Sequence, residues 1–227
     1  MKKIAVFDLD KTVYDGASMQ SFLFEYLIPQ RKISFLVLIE ALILIFRYKF
    51  KLISHNQASK QTISISAKVM AGKTIDELKS WQENFFTIDR MYSHIPKLFS
   101  MLKKKGYDIY LISASIEPIV TACADVLNVK SFSSNLVINN NVYTGVIDKL
   151  MNQEEKSKVV DMLMKNSKEK VYSLGFGDSS GDLAMLKRVD KGFLFEPFEE
   201  DTIEFAKEVK IEIVNRENIV KIVEKYI

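Results

Sequence analysis

Cysteine is almost absent from this 227-residue chain, with Cys123 the single one. An internal disulfide framework is therefore excluded, and a reducing compartment fits. No His or Asn arrangement around Cys123 suggests a nucleophile, so it reads as a small buried apolar group. Histidine is nearly as scarce: only His55 and His94 occur. A multi-histidine metal site is excluded, and any metal would be held mostly by carboxylate oxygen, which favours Mg2+. With 8 Gly and 4 Pro, the chain is neither collagenous nor of low complexity. No 18-residue stretch is free of charge, so no transmembrane helix is expected. The basic start Met1-Lys2-Lys3 leads into the apolar run Ile4–Phe7, which Asp8 and Asp10 cut short. No export signal is therefore expected, and the expected location is cytoplasmic.

What is present is ordinary for a globular chain: 48% apolar and 27% charged residues. The length suits one medium domain, or a domain carrying a smaller insertion. The net charge of +3 is unevenly placed, because residues 15–92 carry 10 Lys/Arg against 7 Asp/Glu and the remainder balances. Most of the excess surrounds one segment, where Arg31, Lys32, Arg47, Lys49 and Lys51 face the single acid Glu40. There is no extended basic stripe with interleaved aromatics, so no nucleic-acid partner is expected.

The organisation follows from the apolar periodicity. Ile4–Phe7 reads as a buried parallel strand that stops at a carboxylate. The chain then reads as helical to about residue 92: Ala17–Ile28, Ile33–Phe46, His55–Met70, and a helix through Phe86 opened by the capping box Thr74-Ile-Asp-Glu77. Beyond it, helix and strand alternate. Helices are expected at Ile95–Lys105 (stopped by Gly106), Pro118–Leu127, Glu154–Lys165, Leu183–Lys187, Ile203–Val209 and Glu217–Tyr226. Strands are expected at Tyr107–Ile112, Val171–Phe176, Gly192–Phe195 and Ile211–Val214. Ser134–Ile138 and Val142–Ile147 read as a hairpin across Asn139-Asn140-Asn141. This pattern implies an α/β fold, a Rossmann-like, mainly parallel sheet covered by helices, with the all-helical block as an inserted cap.

Three strand ends carry polar residues. The first is Asp8-Leu9-Asp10-Lys11-Thr12, where side chains two apart on a strand point the same way. Two such carboxylates repel unless a proton or cation sits between them, and a divalent ion would leave one free as a nucleophile. The second is Ile112-Ser113-Ala114-Ser115. The third is Gly175-Phe176-Gly177-Asp178-Ser179-Ser180-Gly181-Asp182, a glycine-rich loop with two acids four apart. Each alone could be a turn or a helix cap. Ligands of parallel α/β sheets bind beyond the carboxyl ends of the strands, where all three sets would meet.

These residues, with a helix-borne lysine between the second and third sets, resemble the four motifs of the haloacid dehalogenase-like (HAD) superfamily. The helical insert after the first motif and the Tyr143-Thr144-Gly145 hairpin are similar to the phosphoserine phosphatase-like subfamily with its class 1 cap. The resemblance implies a core of residues 1–14 and 93–227 and a cap of 15–92. It implies a Mg2+-dependent phosphomonoester hydrolase acting on a small-molecule phosphoester. Asp8 would become an aspartyl phosphate, and Asp10 would act as acid and then base. Thr12, Ser113, the Ala114 N–H and Lys156 would hold the phosphoryl group. Asp8, the Asp10 backbone carbonyl and Asp178 would bind Mg2+, supported by Asp182. Lys156 and Lys158 both fit the motif lysine by order, and Lys156 suits the family's spacing better. The dehalogenases themselves lack an acid at the position of Asp10, which disfavours halide displacement. A non-catalytic phosphate-binding scaffold would be expected to lack one of the acids, and all four are present.

The cap bears on the substrate. Phosphoserine phosphatases place an acid about nine residues after the nucleophile, where this chain has Ala17, and no arginine in residues 52–89 matches the one that holds the substrate carboxylate. Phosphoserine is therefore not the favoured substrate. In Ile33–Phe46 only Ser34 and Glu40 are not apolar. That run reads first as a buried cap helix. It also suits peripheral contact with the inner face of a membrane through residues 31–51, with a lipid phosphate as substrate, or a homodimer contact through the caps.

Overall fold

A computed structural model describes residues 1–167 and 169–227, with the backbone alone at 55, 56, 59, 78 and 82. The first apolar run forms β1 (Lys2–Phe7), with Ile4, Ala5, Val6 and Phe7 fully buried. Both faces of this strand are covered: Ala5 and Phe7 join one apolar cluster, Ile4 and Val6 another. That explains why its sequence does not alternate. β2 (Tyr107–Ile116) lies parallel on one side of β1 and β5 (Val171–Gly177) parallel on the other. β3 (Lys130–Asn139), β4 (Val142–Lys149), β6 (Lys191–Phe195) and β7 (Glu212–Val214) complete a seven-stranded sheet of order β4-β3-β2-β1-β5-β6-β7. Only β4 is antiparallel, through its hairpin with β3. The strand order reverses direction at β1, and a doubly wound sheet opens a crevice at such a point.

The helices are α1 (Ser18–Ser21, continued by a π-helical stretch Phe22–Leu27), α2 (Phe35–Lys49), α3 (His55–Met70), α4 (Ile75–Asn84), α5 (Ile95–Lys104), α6 (Glu117–Leu127), α7 (Gln153–Lys165), α8 (Leu183–Leu186), α9 (Glu200–Glu208) and α10 (Ile219–Val223). The expected capping box closes on α4, with Thr74 and Glu77 bonded reciprocally. A second caps α3 through Ser54 and Gln57. Several expected boundaries move. β2 runs four residues past Ile112, with a break in register before Ile116. β3 starts at Lys130, pairing with β2 before it turns into the hairpin. The last helix is short and ends in a 3-10 turn over Glu224–Tyr226.

The hairpin grips the turn between α3 and α4. Gly72 N–H donates to the Tyr143 carbonyl at 2.9 Å, Tyr143 N–H to Lys73 at 2.9 Å, and Ile75 N–H to Asn141 at 3.1 Å. Gly145 sits at φ +81°, and a Cβ there would come within 2.8 Å of the Ala71 Cβ. Only glycine suits both the backbone and the close approach.

The expectation that the Ile33–Phe46 helix is buried does not hold. In α2 only Ala41 and Leu44 are buried, while Phe35, Leu36, Leu42, Ile43 and Phe46 are exposed. Among the described residues no helix is long and apolar enough to cross a membrane.

Candidate active site

The chain leaves β1 at Phe7, so Asp8 and Asp10 lie past the strand rather than on it as the spacing suggested. Asp8 N–H still donates to the Phe176 carbonyl of β5 at 2.9 Å, which anchors the first acid beside the third motif. A tight loop then folds back: the Leu9 carbonyl accepts from Thr12, Val13 and Tyr14, and Lys11 adopts φ 57°. This loop turns Asp10 towards the same cavity as Asp8. One Asp10 oxygen accepts the Ser18 N–H at 2.7 Å.

The cavity measures about 900 Å³. Asp8, Asp10, Ser113, Ala114, Lys156 and Asp178 all border it. Ser113 is buried, and its Oγ accepts the Ser115 N–H at 3.2 Å. It does not cap α6, which has no side-chain cap. Ser134 fixes the neighbouring backbone by donating to the Ala114 carbonyl at 2.8 Å and accepting the Met151 N–H at 2.9 Å. Thr12, by contrast, does not line the cavity: its side chain is buried and its hydroxyl has no partner.

Lys156 projects from α7 into the acids. Its ammonium lies 2.6 Å from Asp8 Oδ1 and 2.7 Å from Asp182 Oδ1, with all three side chains buried. Lys158 points away and pairs with Glu154 and Glu155 at the surface. The helical spacing explains the difference. Lys156 shares a face with Val159, Val160 and Leu163, all buried against the core, and Lys158 does not. Asp182 is held on its other side too, accepting from Asp178 N–H, Ser179 N–H and the Ser179 hydroxyl at 3.1–3.2 Å. Gly177 lies against this group so closely that a Cβ there would overlap the Asp182 side chain.

Charge at this site is unbalanced. Carboxylate oxygens of Asp8, Asp178 and Asp182 lie within 4.8 Å of one another, with one ammonium among them. Burial pushes the Asp8 carboxyl well above its usual range, although Lys156 opposes it. Burial and then the Asp182 charge push Asp178 up to about 7. Burial also raises Asp10, against the hydrogen bond from Ser18. Burial disfavours the Lys156 charge, but the attraction of Asp182 and Asp8 outweighs it and raises its pKa. Hard oxygen donors crowded beyond what one lysine neutralises fit a small divalent cation. The sequence reading quoted Gly177 and Ser179 in the third motif but gave neither a role. A glycine directly before the acid and a hydroxyl three residues ahead of Asp182 were the available signals.

The model of the haloacid dehalogenase-like hydrolases matches residues 5–187. The chain belongs to that family of hydrolases. No match was found among the curated proteins. Among solved structures, a protein of unknown function from Bordetella pertussis Tohama I is 18% identical, with a TM-score of 0.75 over 95% of this chain and 99% of that one. A phosphoserine phosphatase in its apo form is 15% identical, with a TM-score of 0.67 over the whole of both chains. A phosphoserine phosphohydrolase-like protein from Francisella tularensis is 20% identical, with a TM-score of 0.63 over 94% and 95%. At these identities the likeness is one of fold.

Proposed function

We propose that the chain is a Mg2+-dependent phosphomonoester hydrolase working through a phosphorylated Asp8. Residues 1–14 and 93–227 form its catalytic core and 15–92 its cap. The observation that carries this reading is the buried Asp8–Lys156–Asp182 array, whose Asp8 and Lys156 line the cavity. Phosphoryl transfer needs positioning and cancellation of negative charge more than covalent machinery. An Asp8 oxygen bonds to phosphorus as the ester P–O bond breaks, and Asp10 gives its proton to the leaving alkoxide. Asp10 then takes a proton from water, whose oxygen attacks the same phosphorus. The bond to Asp8 breaks, inorganic phosphate leaves, and both acids are restored. Burial raises the Asp10 pKa, the direction that proton donation requires. Lys156 stays beside Asp8 through both steps, and Ser113 and the Ala114 N–H are the donors for the phosphoryl oxygens. Asp8, Asp178, the Asp10 carbonyl and the supporting Asp182 would hold Mg2+, which supplies positive charge against those oxygens.

The substrate is a small-molecule phosphoester whose leaving group fills the cavity. Its lining contains no arginine among the described residues, and Ala17 stands where an acid would be needed for an amine. A zwitterionic amino-acid phosphate therefore lacks its usual partners. One observation favours a chain-bearing lipid phosphate over a soluble metabolite. Away from the acids, Leu23, Phe24, Leu44, Ile63 and Val69 form an apolar part of the wall, beside the polar Lys60, Thr62 and Ser66. The deciding experiment is phosphate release from a panel of soluble and lipid phosphomonoesters, with and without Mg2+, beside Asp8→Asn. Turnover that needs Mg2+ and disappears in the variant supports the mechanism. Full activity of Asp8→Asn would exclude it.

A further inference from the structure

Helix α2 has two working faces. On its inner face Ala41, Leu44, Ile45 and Tyr48 form part of the cavity wall above Asp8. On its outer face Phe35, Leu36, Leu42, Ile43 and Phe46, with Phe50 just past its end, are each about half exposed or more, from 48% for Leu42 to 73% for Phe35. Positions 35, 39, 42, 46 and 50 follow helical spacing, so the exposed groups form one stripe along the helix. A contiguous apolar stripe of this kind marks an interaction surface.

The charges around the stripe identify what covers it. Arg31 and Lys32 stand before the helix, and Arg47, Lys49 and Lys51 at and beyond its end, all exposed. The one acid in between, Glu40, is neutralised by Lys68 at 2.6 Å. The surface is thus apolar along its length and cationic at both ends. A helix of 15 residues is about 22 Å long, too short to cross the hydrocarbon core and suited to lying in the interface. Basic residues beside such a stripe are attracted to acidic lipid headgroups.

We propose that α2 docks the protein on an anionic lipid surface, and that the substrate is a phosphate monoester bearing an apolar chain. The chain follows the inner face of α2 while its phosphate reaches Asp8. The substrate half rests on the phosphomonoesterase reading above; the docking half does not.

The test is sedimentation of the full chain with vesicles of phosphatidylcholine, alone or mixed with phosphatidylglycerol. It is paired with phosphate release from phosphatidic acid in the mixed vesicles, from glycerol 3-phosphate and from a soluble aryl phosphate. The expected result is binding to the mixed vesicles, weakened by salt, and faster release from phosphatidic acid than from glycerol 3-phosphate. The double variant Leu42→Glu/Phe46→Glu alters only exposed positions outside the cavity wall. It should leave aryl phosphate turnover unchanged while vesicle binding and phosphatidic acid turnover fall at least about tenfold. Wild-type protein that hydrolyses aryl phosphate yet stays in the supernatant overturns docking and leaves the reaction standing. So does a dimer in solution that the double variant splits without any vesicle binding, because the stripe would then be a contact between copies. Binding with glycerol 3-phosphate as the better substrate overturns the substrate half. Binding with no phosphate released from any ester overturns that half together with the phosphomonoesterase reading.

Discussion

Lys156 Nζ stands 2.6 Å from Asp8 Oδ1, although 148 positions separate the two residues in the chain. The same ammonium holds Asp182 at 2.7 Å. Replacing it by methionine would leave buried carboxylates without their cation. Lys156→Met should lower kcat by about 10²–10³, the usual cost of removing one preorganised electrostatic partner. Lys158→Met should leave kcat unchanged, since that side chain faces solvent and two glutamates. Steady-state kinetics of the two variants decide the matter. Equal losses, or a loss confined to Lys158→Met, would remove Lys156 from the mechanism.

Gly177 and Gly181 make a second matched pair. A Cβ at Gly177 would lie 2.6 Å from Asp182 Cγ. Asp182 cannot give way, because Lys156, two backbone N–H groups and the Ser179 hydroxyl hold it. Gly177→Ala is expected to cost about 1–3 kcal/mol in chemical denaturation, as overpacking does, and to impair turnover. At Gly181 the nearest atom, Ser179 Oγ, is 3.5 Å away, an ordinary contact. Gly181→Ala should therefore be nearly silent in both assays. A Gly177→Ala protein as stable and active as wild type would contradict the packing described at Asp182.

Much of this site is legible in the sequence. An apolar run that stops at an acid, and a glycine-rich loop with two acids four apart, placed Asp8 and Asp178 at strand ends. The parallel sheet then brings them together. Spacing alone left Lys156 and Lys158 open, yet the buried face formed by Val159, Val160 and Leu163 carries the answer in its period. Other features had no local signal. The loop that turns Asp10 inward depends on a left-handed Lys11, a conformation that lysine does not advertise. Thr12, in the same loop, is buried and does not line the cavity. In α2 the composition was plain, but which side faces water is decided by α3 and the cavity rather than by a run that is apolar all round.

The crowding of Asp8, Asp178 and Asp182 predicts a dependence on metal. A chelator should abolish phosphate release, and added Mg2+ should restore it. Mg2+ should also raise the Tm of the substrate-free protein, because a cation that binds only the folded state stabilises it. Asp178→Asn should weaken Mg2+ binding, followed by calorimetry, by at least about tenfold, the low end of what even an outer partner's loss costs. Unchanged affinity in that variant would place the cation elsewhere.

His94 gives a prediction outside the active site. Its ring packs on Tyr92 and Phe195 at 5.6 and 5.1 Å between centroids, and neither nitrogen has a hydrogen-bond partner. Burial lowers its pKa below the ordinary 6.5, with Glu196, Asp15 and Arg216 as the nearby charges. Below pH 6.5 the unfolded chain takes up a proton that the folded chain still refuses, so the stability associated with neutral His94 is lost as the pH falls through that value. Carboxyls raised by burial, such as Asp10, act in the opposite direction, so the histidine is isolated only by difference. His94→Phe keeps the aromatic packing and removes the titration. Its unfolding free energy should depend less steeply on pH than that of the wild type as the pH falls from about 7, where an ordinary histidine begins to take up its proton. Denaturation curves at descending pH check this, and parallel pH profiles for the two proteins would show that His94 is not held neutral by the fold.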